Sequence, residues 1–380
     1  MNGLGWLVAA ASLIVPLALT AQSTDGTKMD STKKADSSSV QPPITISGYA
    51  TLSYTWADHP LDTLIVGRAY DRNYNSFTLN VVNLTVERVA PTDRFAAGFH
   101  GELWFGQNAA VVQSVGLDLG PDATIWQAYA VLNLPTRNPD HYFQLKAGKM
   151  ATLLGVEVGE DVLNPNLGLG YQDVFLEPFT DTGIELDAKV SPSWDAELRV
   201  VNGWDQVTDV NLSKTIVGRL GLTPDSKTLV ALTGYFGPEQ PGNNANERTG
   251  INLVASRKLD SAATVFVQLD YGQEAQAAAD SALATWVGAG LWVTYDVTSA
   301  ATLAFRSDYI NDRNGARTSG VLGFPPNNGL KVGSITATVN VKYWPHALLR
   351  PEIRFDHASQ PVFDAHESQF SIGLGMSYIY

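Results

Sequence analysis

The stretch 367–380 constrains this chain more than any other. It reads Glu-Ser-Gln-Phe-Ser-Ile-Gly-Leu-Gly-Met-Ser-Tyr-Ile-Tyr, with Phe370, Ile372, Leu374, Met376, Tyr378 and Tyr380 on one parity. Gln369, Ser371, Gly373, Gly375 and Ser377 hold the other. Side chains alternate faces along a strand, so one face is oily and the other small and polar. A soluble edge strand of this kind would offer grease and unpaired backbone to water, which natural proteins avoid. A strand that closes a membrane barrel turns its oily face to lipid and pairs its backbone with the first strand. The alternative is a terminal strand of a soluble sandwich.

Composition agrees with the barrel. The 380 residues are 44% hydrophobic, yet mean hydropathy is only -0.05. A helical membrane protein would carry several apolar runs of about twenty residues. Here the single long run is 4–21. A barrel spreads its oily residues over every second position, so its average resembles that of a soluble protein. A net charge of -13 argues against a nucleic-acid partner, since phosphate binding needs a basic surface. With no cysteine, there are no disulfides. The run 4–21 reads as the core of a signal peptide spanning 1–21, although no Lys or Arg precedes it; a retained anchor is the alternative. Residues 22–43 are rich in Ser, Thr, Lys and Asp and have little to bury, which predicts a disordered periplasmic linker. The barrel would then occupy 44–380.

Beyond residue 44, alternating segments are joined in turn by tight and roomy connections. Tight joints fall at 90–93, 137–140, 191–193, 224–226, 259–261, 297–299 and 345–346, each with turn residues or a strand-breaking Pro. Roomy joints fall at 57–75, 106–122, 151–181, 204–211, 237–247, 274–282, 312–331 and 357–366. Sorting loop length by end is the mark of an outer-membrane barrel, with short periplasmic turns and long extracellular loops. The sequence therefore predicts an all-β fold: a transmembrane antiparallel up-and-down barrel of about sixteen strands. Phe95, Ala97, Phe99, Gly101 and Leu103 oppose His100, Glu102 and Trp104; Ile335, Ala337, Val339 and Val341 oppose Thr336, Thr338 and Asn340. Tyr54, Trp56, Tyr271, Tyr343, Trp344, Tyr378 and Tyr380 cluster at strand ends, where amphipathic rings suit the headgroup boundary.

The middle of the chain carries short motifs. They are Gln127-Ala128-Tyr129-Ala130, Leu132-Asn133-Leu134-Pro135, Lys146-Ala147-Gly148-Lys149, Gly155-Val156-Glu157, Pro178 with Asp181-Thr182-Gly183, and Val201-Asn202-Gly203-Trp204-Asp205. With them the chain resembles the OmpL-like β-barrel porin family of bacterial outer membranes. The resemblance implies a porin of the outer membrane and supplies no catalytic residues.

A barrel of this size encloses water if its inner face is polar. The longest joint, 151–181, carries Glu157, Glu160, Asp161, Asp173, Glu177 and Asp181 with no Lys or Arg, and its length suggests an inward fold. Arg306, Lys342, Arg350 and Arg354 lie on the polar parity of late strands. An acidic loop opposite a basic wall would set a transverse field that orients small polar solutes or ions. The bland alternative is a wall ladder, Arg306 with Asp308 and Arg350 and Arg354 with Glu352 and Asp356, with the loop outside. A lipid hydrolase using outward-facing His357 and Ser359 is a second reading, and a structural or adhesive surface barrel a third. The six histidines show no metal spacing, and neither cofactor nor metal is expected. Trp286 and Trp292 are assigned to the lumen. Expected partners are outer-membrane lipid, small polar solutes, further copies of the chain, and the barrel assembly machinery through the strand ending at Tyr380.

Overall fold

The computed structural model describes residues 42–138 and 141–380. The expected signal peptide at 1–21, nearly all of the linker at 22–43, and Pro139 and Asp140 of one tight joint lie outside the described residues. Eight strands form the first half: β1 (Thr45–Ala57), β2 (Ser76–Arg88), β3 (Ala96–Phe105), β4 (Ala123–Pro135), β5 (Tyr142–Ala151), β6 (Thr180–Ser191), β7 (Trp194–Trp204) and β8 (Thr215–Asp225). Eight more complete it: β9 (Thr228–Pro238), β10 (Glu247–Lys258), β11 (Ala263–Glu274), β12 (Ala284–Thr298), β13 (Ala301–Asp312), β14 (Leu330–Val341), β15 (Ala347–Ala358) and β16 (Ser368–Ile379). Each pairs antiparallel with its chain neighbours, and β16 pairs with β1 to close the barrel. The only described helical segments are α1 (Gln107–Val111), α2 (Tyr171–Leu176) and a single 3-10 turn at Asp161–Leu163.

The seam forms where the end of the sequence predicted it. Tyr49 faces Ile379, and Gly48 and Tyr380 exchange both backbone hydrogen bonds, at 3.2 and 2.9 Å. No strand edge is left to lipid, which cannot satisfy backbone polar groups. Alternation holds around the wall. Ile372, Leu374 and Met376 are exposed on the outer face while Ser371 and Ser377 are buried within. On β14 Ile335 is exposed and Thr336 and Thr338 are covered. Odd strands end in long loops and even strands in short turns, so by loop length the long loops mark the extracellular end. Tyr271, Tyr343, Trp344, Tyr378 and Tyr380 present exposed rings at strand ends. Trp286 and Trp292 point inward and are buried, as the register required.

The interior is occupied. The connection from β5 to β6, residues 152–179, turns into the lumen, and Leu163 is its one strongly exposed large apolar side chain, at 42%. We call this segment the strap. Near α2 the strap joins a buried apolar cluster in which Tyr171, Phe175 and Leu176 meet Val66, Trp286, Ile310, Phe324 and Phe363 from the wall and three extracellular loops.

Candidate functional site

The strap can lie inside because the wall supplies partners for its backbone. A buried carbonyl or amide without a partner costs about 1–3 kcal/mol, so a loop inside a barrel needs each one answered. Arg350 on β15 donates from Nη1 to Asp161 O at 2.7 Å and from Nη2 to Asn164 O at 2.7 Å and to Asn166 O. Arg354 donates to Leu169 O at 2.7 Å and lies over the Tyr171 ring. Arg306 on β13 donates to Gly168 O at 2.6 Å and forms an ion pair with Glu157 at 2.6 Å. The strap's amides point to wall carboxylates. Leu167 N and Gly168 N donate to Glu352 at 2.6 and 3.2 Å, and Tyr171 N donates to Asp308. The Tyr171 hydroxyl donates to Asp356 at 2.8 Å. From the first long loop Arg68 reaches the same Asp356 at 2.7 Å and Ser371 at 2.8 Å. On the other side, Gly155 N and Val156 N donate to Asn252 and Gln268 on β10 and β11.

Local sequence permits this approach. At Gly170 a Cβ would stand 2.8 Å from Glu157 Oε2 and 3.1 Å from Asp308 Oδ2. Gly155 adopts φ +90 with Glu177 at the place where a side chain would begin, so both conformation and space call for glycine.

The five strap carboxyls meet different surroundings. Glu157 meets Arg306, accepts from Gly170 N at 2.6 Å and takes the Trp292 indole N–H at 3.3 Å. Glu160 turns to β4, accepting from Trp126 at 2.9 Å and Gln127 at 3.2 Å. Burial, and then the nearby Glu102, pushes Glu160 up to about 8. Burial raises Asp161, against the pull of Arg350. Asp173 is held well above the usual carboxylate range by burial and then by Glu157; its Oδ2 has no partner. Glu177 is likewise raised well above it by burial, Asp270 and Asp173, and accepts from Gln268. Of the four basic residues picked from the sequence, Arg306, Arg350 and Arg354 grip the strap. Lys342 lies just past β14 at the periplasmic rim, half-buried, its amide on Ala300 O at 2.8 Å. Acidic loop and basic wall are thus interlocked, with Glu157 and Arg306 the one direct ion pair between these nine residues.

Sequence reasoning missed a second group. On the wall opposite, Lys146 of β5 pairs with Glu185 and Asp187 of β6 at 2.7 and 3.1 Å. Arg199 of β7 bridges Asp181 at 2.8 Å and Glu185. Arg219 of β8 holds Asp195 and Glu197 at 2.6 and 2.7 Å. None of these ion-pair partners lies in the strap. The signal was present: Glu185, Asp187, Glu197, Arg199 and Arg219 share the inward parity opposite exposed Leu186, Leu198 and Leu220. Asp308 and Glu352 were missed as strap partners because an amide-accepting carboxylate looks the same in sequence as a salt-bridged one.

The outward His357 does not meet Ser359. Its Nδ1 lies 2.9 Å from Ser368 Oγ across the β15–β16 ladder, while Ser359 Oγ accepts from Lys331 N at 3.1 Å. Among the described residues no cluster of three or more His, Cys, Asp or Glu side chains could hold a metal.

Solved structures share the fold. The outer membrane channel DcaP of Acinetobacter baumannii aligns over 89% of this chain and 97% of its own at 12% identity, TM-score 0.59. An anion-selective porin from Comamonas acidovorans aligns over 89% and 99% at 13% identity, TM-score 0.60. A trimer form of OmpT, an outer membrane protein of Vibrio cholerae, aligns over 89% and 99% at 10% identity, TM-score 0.53. Among curated proteins none matches the sequence. The family model described as putative beta-barrel porin-2, OmpL-like, matches residues 43–379. A closed sixteen-stranded barrel with a lipid-facing outer surface and a polar inner one, covered along its whole length by that model, belongs to the OmpL-like β-barrel porin family: it is a channel of the bacterial outer membrane.

Proposed function

We propose that the strap forms the constriction and that small polar solutes or ions pass beside it, along the charged strip of β5 to β8. One observation carries this reading. Apart from Phe179 N on Asp205 just past β7, the strap spends its hydrogen bonds to the wall on β4 and β9 to β15, while Lys146, Arg199 and Arg219 form their ion pairs with neighbouring strands. The polar wall left for water is the strip of Lys146, Arg199 and Arg219, on the periplasmic side of the patch where Leu153 and Leu154 of the strap pack on Val201, Trp204 and Val217. Opposed charges on that strip would orient a dipolar solute as it slides past. Glu157, Glu160, Asp161, Asp173 and Glu177 contribute from the strap and Arg306, Arg350 and Arg354 from the far wall, chiefly by fixing the strap's position. Lys342 contributes at the periplasmic exit.

Planar-bilayer recording of the purified protein tests this. Neutralising Glu157, Glu160 and Asp161 together should change conductance and cation/anion preference. If neither moves, the strap is not at the narrowest point. We further propose that copies associate in the membrane, in line with the trimeric Vibrio neighbour, and that β16 engages the assembly machinery; chemical cross-linking in native membranes reads both.

A further inference from the structure

The extracellular mouth holds a group of basic and aromatic residues set against the strap. Trp204 ends β7, Arg248 opens β10 and Trp286 opens β12, so all three stand at the same end of the barrel. Into this ring reaches Arg317, from the loop 313–329. Its guanidinium carbon lies 5.0 Å from the Trp204 ring centre and 5.6 Å from that of Trp286. Arg248 lies 4.6 Å from the same Trp204 ring. Arg317 is held by design of its loop. Asp312 accepts from the amides of Ala316, Arg317 and Thr318 at 3.1, 2.8 and 2.8 Å, which fixes the turn. Arg317 Nε then donates to Phe175 O, at the strap's α2, at 2.7 Å.

Direct carboxylate contacts at this site are uneven. Arg248 has Glu274, bound from Nε and Nη2 at 3.0 and 2.8 Å. Arg317 has no carboxylate within ion-pair distance among the described residues, because Asp312 is spent on backbone amides. Glu239, the other nearby acid, accepts from Trp204 N and Thr215. Of the two guanidiniums only Arg248 thus has a carboxylate in direct contact, while Asp312 acts on Arg317 through space. The buried indole nitrogen of Trp204 also has no acceptor, while that of Trp286 lies beside the Tyr235 hydroxyl. A guanidinium whose faces lie on aromatic rings keeps its in-plane N–H groups for a planar, two-oxygen acceptor.

We propose that Arg317 and Arg248, set on the faces of Trp204 and Trp286, form an oxyanion-binding site that captures carboxylate- or phosphate-bearing solutes at the outer mouth before they reach the strap. Burial and then Arg248 lower Arg317 to about 10, which leaves it charged at neutral pH. The inference rests on the channel reading for its purpose but not for its chemistry, and the two can be tested apart.

The test is calorimetric titration of the whole protein in detergent micelles with succinate and, separately, inorganic phosphate. Wild type should bind at least one of them saturably. Binding of succinate alone assigns carboxylates, binding of phosphate alone assigns phosphates, and binding of both assigns the shared oxyanion chemistry. Arg317→Gln should weaken binding about tenfold or more, as expected for a lost charge-assisted bidentate contact. Arg317→Lys, which keeps charge without the fork, should fall between. Far-ultraviolet circular dichroism with the wild-type strand signal shows that the variants are folded. Absence of saturable binding to either probe, or equal binding by wild type and folded Arg317→Gln, overturns the site. Potassium chloride conductance is recorded on the same preparation. Conductance without oxyanion binding removes the site and leaves the channel, and binding without conductance does the reverse.

Discussion

The two sides of the lumen use the same residue types to opposite ends. On β13 to β15, Arg306 and Arg354 keep contact with Asp308 and Asp356, at 3.4 and 2.8 Å, but together with Arg350 they also donate to the strap's carbonyls, while Glu352 and Asp308 take its amides. On β5 to β8, Arg199, Arg219 and Lys146 satisfy the carboxylates of adjacent strands. Two pairs of the ladder weighed for the late strands are present, Arg306 with Asp308 and Arg354 with Asp356, alongside the strap contacts, and a further ladder stands on the early strands. Where a loop backbone needs burying, charged side chains replace the water it has lost; where none does, they pair along the wall. Arginine parity alone does not distinguish the two uses.

The contrast can be broken from either side. The largest effect is expected for Arg350→Ala, which strips the partners from three buried strap carbonyls. It should cost on the order of 3–5 kcal/mol in a urea unfolding titration. It should also raise single-channel conductance severalfold as the strap loosens. Next comes Arg219→Gln on the open side, which leaves Asp195 and Glu197 without their cation. The reversal potential in a potassium chloride gradient should shift toward potassium, with conductance kept within about twofold. An unchanged reversal potential would remove the strip from the solute path.

A smaller effect should appear with pH. Glu160 titrates higher in the folded protein, at about 8, than as a free carboxyl. Its contribution is therefore fully present below the ordinary carboxyl range and is lost as pH rises through about 8. Open-channel noise should grow between about pH 7 and 9 as a charge develops beside Trp126 and Glu102, and Glu160→Gln should abolish that step. Smallest of all is the change expected for His357→Ala or Ser368→Ala, whose bond lies on the outer face. Conductance should stay at wild-type values and stability within about 0.5 kcal/mol.

Much of the cylinder was legible from residues alone. Two-residue alternation places Ile335 outside and Thr336 inside, and the closing strand announces its partner by needing one. The strap's inward fold could be suspected from its length and its acids, and three of its four expected basic partners do touch it. The nature of that touch was hidden. Arg350 binds carbonyls, which every residue carries, so no side-chain pattern marks its targets. Arg317 was equally invisible, since it enters the mouth from a loop and meets Trp204 and Trp286 from strands far away in sequence.

Ala151 and Thr180 sit opposite each other in the β5–β6 ladder, so the strap leaves the wall and rejoins it at a single rung. The hoop of backbone bonds runs past that rung whatever lies between the two residues. Inserts of other lengths and chemistries can be spliced there without opening the cylinder, so what the hole admits is free to drift while the vessel around it stays the same.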